Sequence, residues 1–286
     1  MNHPQPRSES IPALLRAYGL RPHKGLGQNF LVDEAAMGRI VAAADLSPED
    51  TVVEVGAGLG TLTRLLARHA GRVVAVELDA RLVEVLTDRL ADLSHLQIIH
   101  GDILSLPDLG VAHLGYKVVG NLPYYITSAV LRHFLENEPR PRLLVVTVQR
   151  EVAERIVARP PHMSLLAVSV QFYGQPRLVA RIPAGAFYPP PKVDSAVVRI
   201  DVTEQPTIVL DPGLDPADFF RVVRAGFGQK RKTLRNSLSA GLGVPPAQVE
   251  KALESADIDP KRRAETLSLP EWARLARYLM ELLPPN

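Results

Sequence analysis

The apolar positions of this chain fall into two rhythms. Short, nearly continuous apolar runs sit at residues 51–55, 72–76, 96–100, 116–120 and 142–149, as expected of strands buried on both faces of a sheet. Segments with helical spacing alternate with them, at about 34–44, 61–69, 80–90 and 150–158 and from Thr127 onward, and Asp33 is placed to cap the first. Strand and helix in alternation predict a parallel α/β sheet. A short helix over 11–18 precedes this pattern. Beyond it, 164–173 lacks clean alternation and reads as a buried helix, 177–182 as a strand, and 193–202 as a strand with period-two character. The stretch 205–216 is rich in Pro and Asp and closes the alternating pattern. After it the spacing is helical throughout, at about 217–227, 231–240, 247–256 and 269–283. Two domains are expected, 1–205 and 206–286.

Composition narrows the class. With 286 residues and 46% apolar content, the chain can bury a sizeable core. It has no cysteine, which excludes disulfides, thiolate metal sites and a Cys nucleophile. No apolar run approaches a membrane span, and Met1 to Ser10 is polar with no charged-then-apolar leader pattern, so a cytoplasmic protein is expected. The net charge is only +2, so any nucleic-acid surface must come from local charge distribution.

Candidate chemistry gathers at the carboxyl ends of the expected strands, where parallel sheets bind ligands. After the first strand, Gly56, Gly58 and Gly60 make a G-x-G-x-G turn into a helix. Such a turn admits a ligand close to the backbone, or serves packing alone, and its spacing is not the G-x-G-x-x-G of dinucleotide sites. At the second tip, Glu77 is assigned to a ribose diol and Asp79 to the cap of the next helix, the alternative being that an acid there only caps. At the third tip, Asp102 accepts from an adenine amine or bonds its own turn. Asn121 stands at the fourth. No tip supplies Lys or Arg and there is no P-loop motif, so the set suits an adenosine-bearing cofactor without phosphates.

The stretch Asn121-Leu122-Pro123-Tyr124-Tyr125 joins an amide, a fixed kink and two rings. It suits a flipped-out nucleobase: Asn121 and the Leu122 carbonyl accept from an exocyclic amine while Tyr124 stacks. The plainer alternative is a strand-to-helix loop with two half-buried tyrosines. Phe187, before three consecutive prolines, either forms the second face of a stacking slot opposite Tyr124 or packs beneath its own loop. The segment from His23 to Leu31, with two glycines and two amides, reads as a closing loop or as a surface turn anchored by Phe30 and Leu31. Further on, Arg221, Arg224, Lys230, Arg231, Lys232 and Arg235 share one stretch with no acid among them. That favours a phosphate backbone over a solvated helix face.

Together these motifs resemble the KsgA/RsmA family of 16S ribosomal RNA adenine dimethyltransferases. The resemblance is carried by LGQNFL (26–31), EVGAGLG (54–60), ELD (77–79), GDIL (101–104), NLPYYIT (121–127), FYPPPKVDSAV (187–197), GFGQKRKTLRNSL (226–238) and RRAETLSLPEWARLA (262–276). It implies an α/β, Rossmann-like seven-stranded sheet with one antiparallel strand, followed by a small helical RNA-binding domain. It also implies S-adenosylmethionine as methyl donor, S-adenosylhomocysteine as product, and no metal. Gln28, Asn29, Leu31, Gly56, Gly58, Glu77, Asp102 and Asn121 would line the cofactor site, and Asn121, Leu122, Tyr124 and Phe187 the catalytic one. The implied substrate is two adjacent adenosines in a hairpin loop near the 3′ end of 16S rRNA, presented by an assembling small ribosomal subunit to a monomeric, non-membrane enzyme. The alternatives are an Erm-like methylase of 23S rRNA and an assembly factor acting mainly by binding. Catalysis is expected from positioning and electrostatics, since the pentad contains no acid to serve as a base.

Overall fold

In the computed structural model the described residues are 10–106, 108–111 and 115–283, so most of the polar N-terminal stretch lies outside them. The chain forms two compact units, one of Met1–Ala153 with Arg177–Val202, the other of Glu154–Pro176 with Thr203–Asn286. No helix among the described residues is long and apolar enough to cross a membrane.

The elements run α1 (Ile11–Ala17), β1 (Phe30–Leu31), α2 (Glu34–Ala44), β2 (Thr51–Val55), α3 (Thr61–Ala67), β3 (Arg72–Glu77), α4 (Ala80–Arg89), β4 (Leu96–His100), β5 (Lys117–Asn121) and α5 (Thr127–Glu136). Then follow β6 (Leu143–Gln149), α6 (Arg150–Ile156), α7 (Leu165–Tyr173), β7 (Gly174–Ile182), β8 (Phe187–Tyr188) and β9 (Ser195–Val202). The last four helices are α8 (Pro216–Phe227), α9 (Leu234–Leu242), α10 (Pro246–Ser255) and α11 (Leu269–Met280).

The main sheet has seven strands in the order β4-β3-β2-β5-β6-β9-β7. Pairs β2–β3, β3–β4, β2–β5 and β5–β6 are parallel, and β9 runs antiparallel to β6. The apolar runs explain which strands are central. Val52, Val53, Val118, Val119 and Leu144 to Val146 are all fully buried, as a sheet covered on both faces requires. The edge strand β4 alternates between partial burial and exposure. Expected strand ends shift by one to three residues: 116–120 is observed as Lys117–Asn121, 177–182 as Gly174–Ile182, and 193–202 as Ser195–Val202. A two-stranded antiparallel pair, β1 with β8, was not legible in the sequence, because two-residue strands carry no periodicity.

At the end of the sheet away from the strand tips, Asp50 ties three strands together. Its carboxylate meets Lys117 Nζ at 2.9 Å, the Ser47 amide at 2.7 Å and the Arg142 guanidinium. Burial pushes the Asp50 pKa up, but these partners outweigh it and hold the group below its ordinary value.

The second unit differs from expectation in taking residues 154–176 as well as the chain from Thr203. The reason is α7, which is apolar on nearly every side. Its Phe172 stacks on Phe219 at 4.8 Å and meets Phe220 edge-on at 5.0 Å, both from α8. Its one buried amide, Gln171, donates to the carbonyls of Ile156 and Ala158 at 2.9 and 2.8 Å. Trp272 of α11 is fully buried against Gly226, where a β-carbon would come within 2.3 Å of the indole. The start of α11 is closed by a capping box in which Ser268 and Glu271 satisfy each other's backbone amides. The helix expected from 231 begins at Leu234, leaving Lys230, Arg231 and Lys232 in the turn between α8 and α9.

Burial raises the Glu271 pKa, but Arg262 and the Ser268 amide and hydroxyl oppose it and bring the group down to about 2. A lowered carboxylate stabilises the fold above its unfolded pKa of about 4.5 and loses that contribution as pH falls towards 2. Glu271→Gln is therefore expected to cost about 1–3 kcal/mol near pH 7. The gap from the parent, measured by urea unfolding at several pH values, should narrow as pH drops below 4.5.

Candidate active site

The sheet order sets the place. From β2 the chain steps to β3 and β4 on one side, then returns to β5 on the other. The crevice outside the carboxyl ends at that reversal is the ligand site of open α/β sheets. A cavity of about 1160 Å³, counting the solvent at its mouth, lies there. It is lined by the glycine turn, the tips of β3, β4 and β5, and the loop before β1.

Gly56, Gly58 and Gly60 all have left-handed φ, between 62° and 78°, which the side chains of other residues rarely tolerate. This conformation aims the Gly58 amide at Glu77 Oε2, 2.8 Å away, while Glu77 Oε1 accepts from the Asp79 amide at 2.9 Å. Burial pushes the Glu77 pKa up and those amides pull it back. Asp79 does not line the cavity: it caps α4, pairs with Arg81 and accepts from Gln28 Nε2 at 2.9 Å. The Arg81 guanidinium beside it, opposed by partial burial and helped by Gln28, brings its pKa to about 2. Asp79 thus takes the cap expected of it, while Glu77 faces the cavity. Asp102 lines the rim and also closes its own turn, accepting from the Leu104 amide at 3.0 Å.

The loop residues are used unequally. Gln28 lines the cavity, yet both ends of its amide are spent within the protein, on Asp79 and on the His23 amide at 2.8 Å. These two bonds fasten the loop to the start of α4. Asn29 turns its side chain back to Gly27 O at 3.1 Å and offers its backbone carbonyl to Asn121. Leu31 is buried at the cavity wall and pairs with Phe187 across β1 and β8.

In the pentad, Asn121 Nδ2 donates to Asn29 O at 2.9 Å. A carbonyl only accepts, so this bond fixes which end of the amide faces it and leaves Oδ1 as the free acceptor. Leu122 is buried by its side chain, and its amide donates to Thr147 O at 3.1 Å. The Tyr124 hydroxyl hydrogen-bonds Ser195 Oγ at 2.8 Å. Phe187 is only 3% exposed, belongs to the core cluster with Leu31, Ala186 and Val197, and does not line the cavity. Its place is the second alternative, beneath its own loop, because pairing with Leu31 turns the ring inward.

Glu54 lines the same cavity and was missed, because it lies inside a buried strand rather than at its tip. It is 1% exposed, and its Oε2 has no hydrogen-bond partner among the described residues. Burial pushes its carboxyl up to about 8, with Thr63 opposing and the Glu77 charge reinforcing. The signal was an acid in an otherwise apolar strand. No Lys, Arg or His is among the residues that line the cavity.

The basic stretch lies in the second unit. Arg221 and Arg224 are on α8, Lys230 to Lys232 in the following turn and Arg235 on α9. Arg235 is not free of acids as its own stretch suggested: α10 brings Glu250 to 3.1 Å. Arg224, Lys230, Arg231 and Lys232 are exposed and make no ion pair among the described residues.

A family model described as ribosomal RNA adenine dimethylase matches residues 19–281. A Dehalococcoides mccartyi protein named ribosomal RNA small subunit methyltransferase A is 52% identical over 94% of this chain and 92% of its own. A Desulfitobacterium hafniense protein of the same name is 45% identical over 93% of this chain and 95% of its own. Among solved structures, the 23S rRNA methyltransferase ErmE is 29% identical with a TM-score of 0.69, covering 88% of this chain and 100% of that one. A dimethyladenosine transferase from Plasmodium falciparum shares the fold, with a TM-score of 0.74 at 23% identity over 89% of this chain and 98% of that one.

A carboxyl whose folded pKa exceeds its unfolded value binds its proton more tightly in the fold. Stability then falls as pH rises from about 4.5 towards 8. Glu54→Gln cannot ionise, so its thermal midpoint should fall less than the parent's across that interval in a differential scanning series.

Proposed function

The chain belongs to the ribosomal RNA adenine dimethylase family, and from that premise we propose that it methylates N6 of two adjacent adenosines in a hairpin loop near the 3′ end of 16S rRNA. Each adenosine receives two methyls from S-adenosylmethionine, in an assembling small ribosomal subunit whose maturation the protein also assists. It acts as a cytoplasmic monomer. The small-subunit assignment is supported by relatives of that name at 52% and 45% identity, against 29% for the 23S enzyme.

The cavity fits the methyl donor. It carries two buried acids, Glu54 and Glu77, and no cation. Their oxygens can accept from an ammonium and a ribose diol, and the lining offers no counter-charge to the phosphates of a dinucleotide. Asn29, Leu31, Gly56, Gly58, Glu77, Asp102 and Asn121 would hold it. S-adenosylmethionine, when bound, supplies a methyl on a sulfonium whose departure leaves a neutral thioether, so no acid is required.

The observation that carries the reading is the fixed amide of Asn121. The nitrogen of an adenine amine is a poor nucleophile because its lone pair is delocalised into the ring. Asn121 Oδ1 and the Leu122 carbonyl accept from that amine and localise the lone pair on nitrogen. Tyr124, its hydroxyl tied to Ser195, gives the base a face to stack on. The residues position and polarise, and the proton leaves to solvent after transfer. In the second unit, Arg221, Arg224, Lys230, Arg231, Lys232 and Arg235 meet the RNA backbone.

Incubation with radiolabelled S-adenosylmethionine, separately with unmodified small subunits and with 23S rRNA, tests the assignment. N6,N6-dimethyladenosine from the small subunit alone is expected; label in 23S rRNA would move the chain to the Erm branch. Asn121→Ala should cut kcat by about 10²-fold or more while changing S-adenosylmethionine affinity far less; calorimetry with stopped-time assays separates the two. Replacing Lys230, Arg231 and Lys232 with Ala should weaken particle binding and reduce the slope of log affinity against log salt by about 2–3. An unchanged slope in filter binding would remove that turn from the interface.

A further inference from the structure

We propose that Tyr125 is a second stacking platform, which holds the unpaired purine next to the target adenosine; this rests on the methyltransferase reading above. The two tyrosines of the pentad have opposite surroundings. Tyr124 is half-buried and its hydroxyl is tied to Ser195, which is fully buried. Tyr125 lines the same cavity but is 62% exposed, and its hydroxyl has no hydrogen-bond partner among the described residues.

The ring lies beside the loop that precedes β1. A β-carbon built on Gly27 would lie 3.4 Å from Tyr125 Cε1 and 3.3 Å from Pro123 Cβ. Gly27, at φ +63°, therefore leaves room beside one edge of the ring that a larger residue would fill. Pro123 fixes the chain two residues earlier. An aromatic ring that is largely exposed beside the loop, at the mouth of a base-binding cavity, is a surface on which any base can stack.

The substrate gives such a plane a task. Extruding one adenosine breaks its stacking with its neighbour, and that loss opposes binding. The neighbour is one nucleotide away, and in this substrate class it is itself an adenosine awaiting methylation. A ring at the cavity mouth replaces the lost stack and keeps the second base beside the entrance.

The test compares Tyr125→Phe, Tyr125→Leu and Tyr125→Ala in the full-length protein. Leu keeps apolar bulk without a π face, and Phe keeps the face without the hydroxyl. Each is assayed for dissociation constant on unmodified small subunits without S-adenosylmethionine, for S-adenosylmethionine affinity by calorimetry, and for KM and kcat. Phe should stay within about twofold of the parent. Leu and Ala should each weaken subunit binding and raise KM by about tenfold, with S-adenosylmethionine affinity and thermal midpoint unchanged. Subunit binding by Leu or Ala within twofold of the parent overturns the proposal. So does a loss of S-adenosylmethionine affinity equal to the loss of subunit binding, since the ring would then only brace the loop. Absence of dimethyladenosine with the parent itself would instead mark failure of the underlying reading.

Discussion

One hydrogen bond organises the site: Asn121 Nδ2 to Asn29 O, at 2.9 Å. It joins the tip of β5 to a loop more than ninety residues earlier in the chain. Because a backbone carbonyl cannot donate, the bond settles the orientation of the side-chain amide and reserves its oxygen for a ligand. The rest of the first unit keeps both partners still. β5 lies between β2 and β6, with Asn121 opposite Thr147, and the Asp50–Lys117–Arg142 cluster fixes the other end of those strands. On the loop side, Gln28 bonds to Asp79, and the next residues enter the β1–β8 pair.

The two acids of the cavity wall are held differently. Glu77 has both oxygens occupied by amides of the glycine turn and of the α4 cap, which holds it rigid in spite of burial. Glu54 lacks such support, and its raised pKa reflects that. The lining thus offers acceptor oxygens at both acids and no cation. In the second unit, the turn after α8 presents Lys230, Arg231 and Lys232 with no ion pair among the described residues.

Most of the sheet was legible because β2, β3, β5 and β6 are apolar runs divided by helical spacing, and the parallel order follows from alternation. Tip residues were legible for the same reason: the end of a run marks the mouth of the sheet. What escaped depended on contacts distant in sequence. Nothing local to 154–176 shows that Phe172 meets Phe219 and draws that segment into the second unit. Phe187 could not be placed until its pairing with Leu31 was seen. Nor does anything local to Gln28 show that its amide reaches Asp79, fifty-one residues on. Glu54 was marked only as an acid in an apolar strand, which does not say that its side chain reaches a cavity.

The most direct test of the account separates the two ends of the Asn121 amide. Asn121→Asp keeps an acceptor but places an oxygen against Asn29 O in place of a donor. Single-turnover methyl transfer at saturating S-adenosylmethionine should fall by at least about tenfold, roughly the 1.4 kcal/mol that one lost orienting hydrogen bond represents, with cofactor binding retained. A rate equal to the parent's would show that an acceptor at this position suffices and that the bond to Asn29 plays no part in the chemistry.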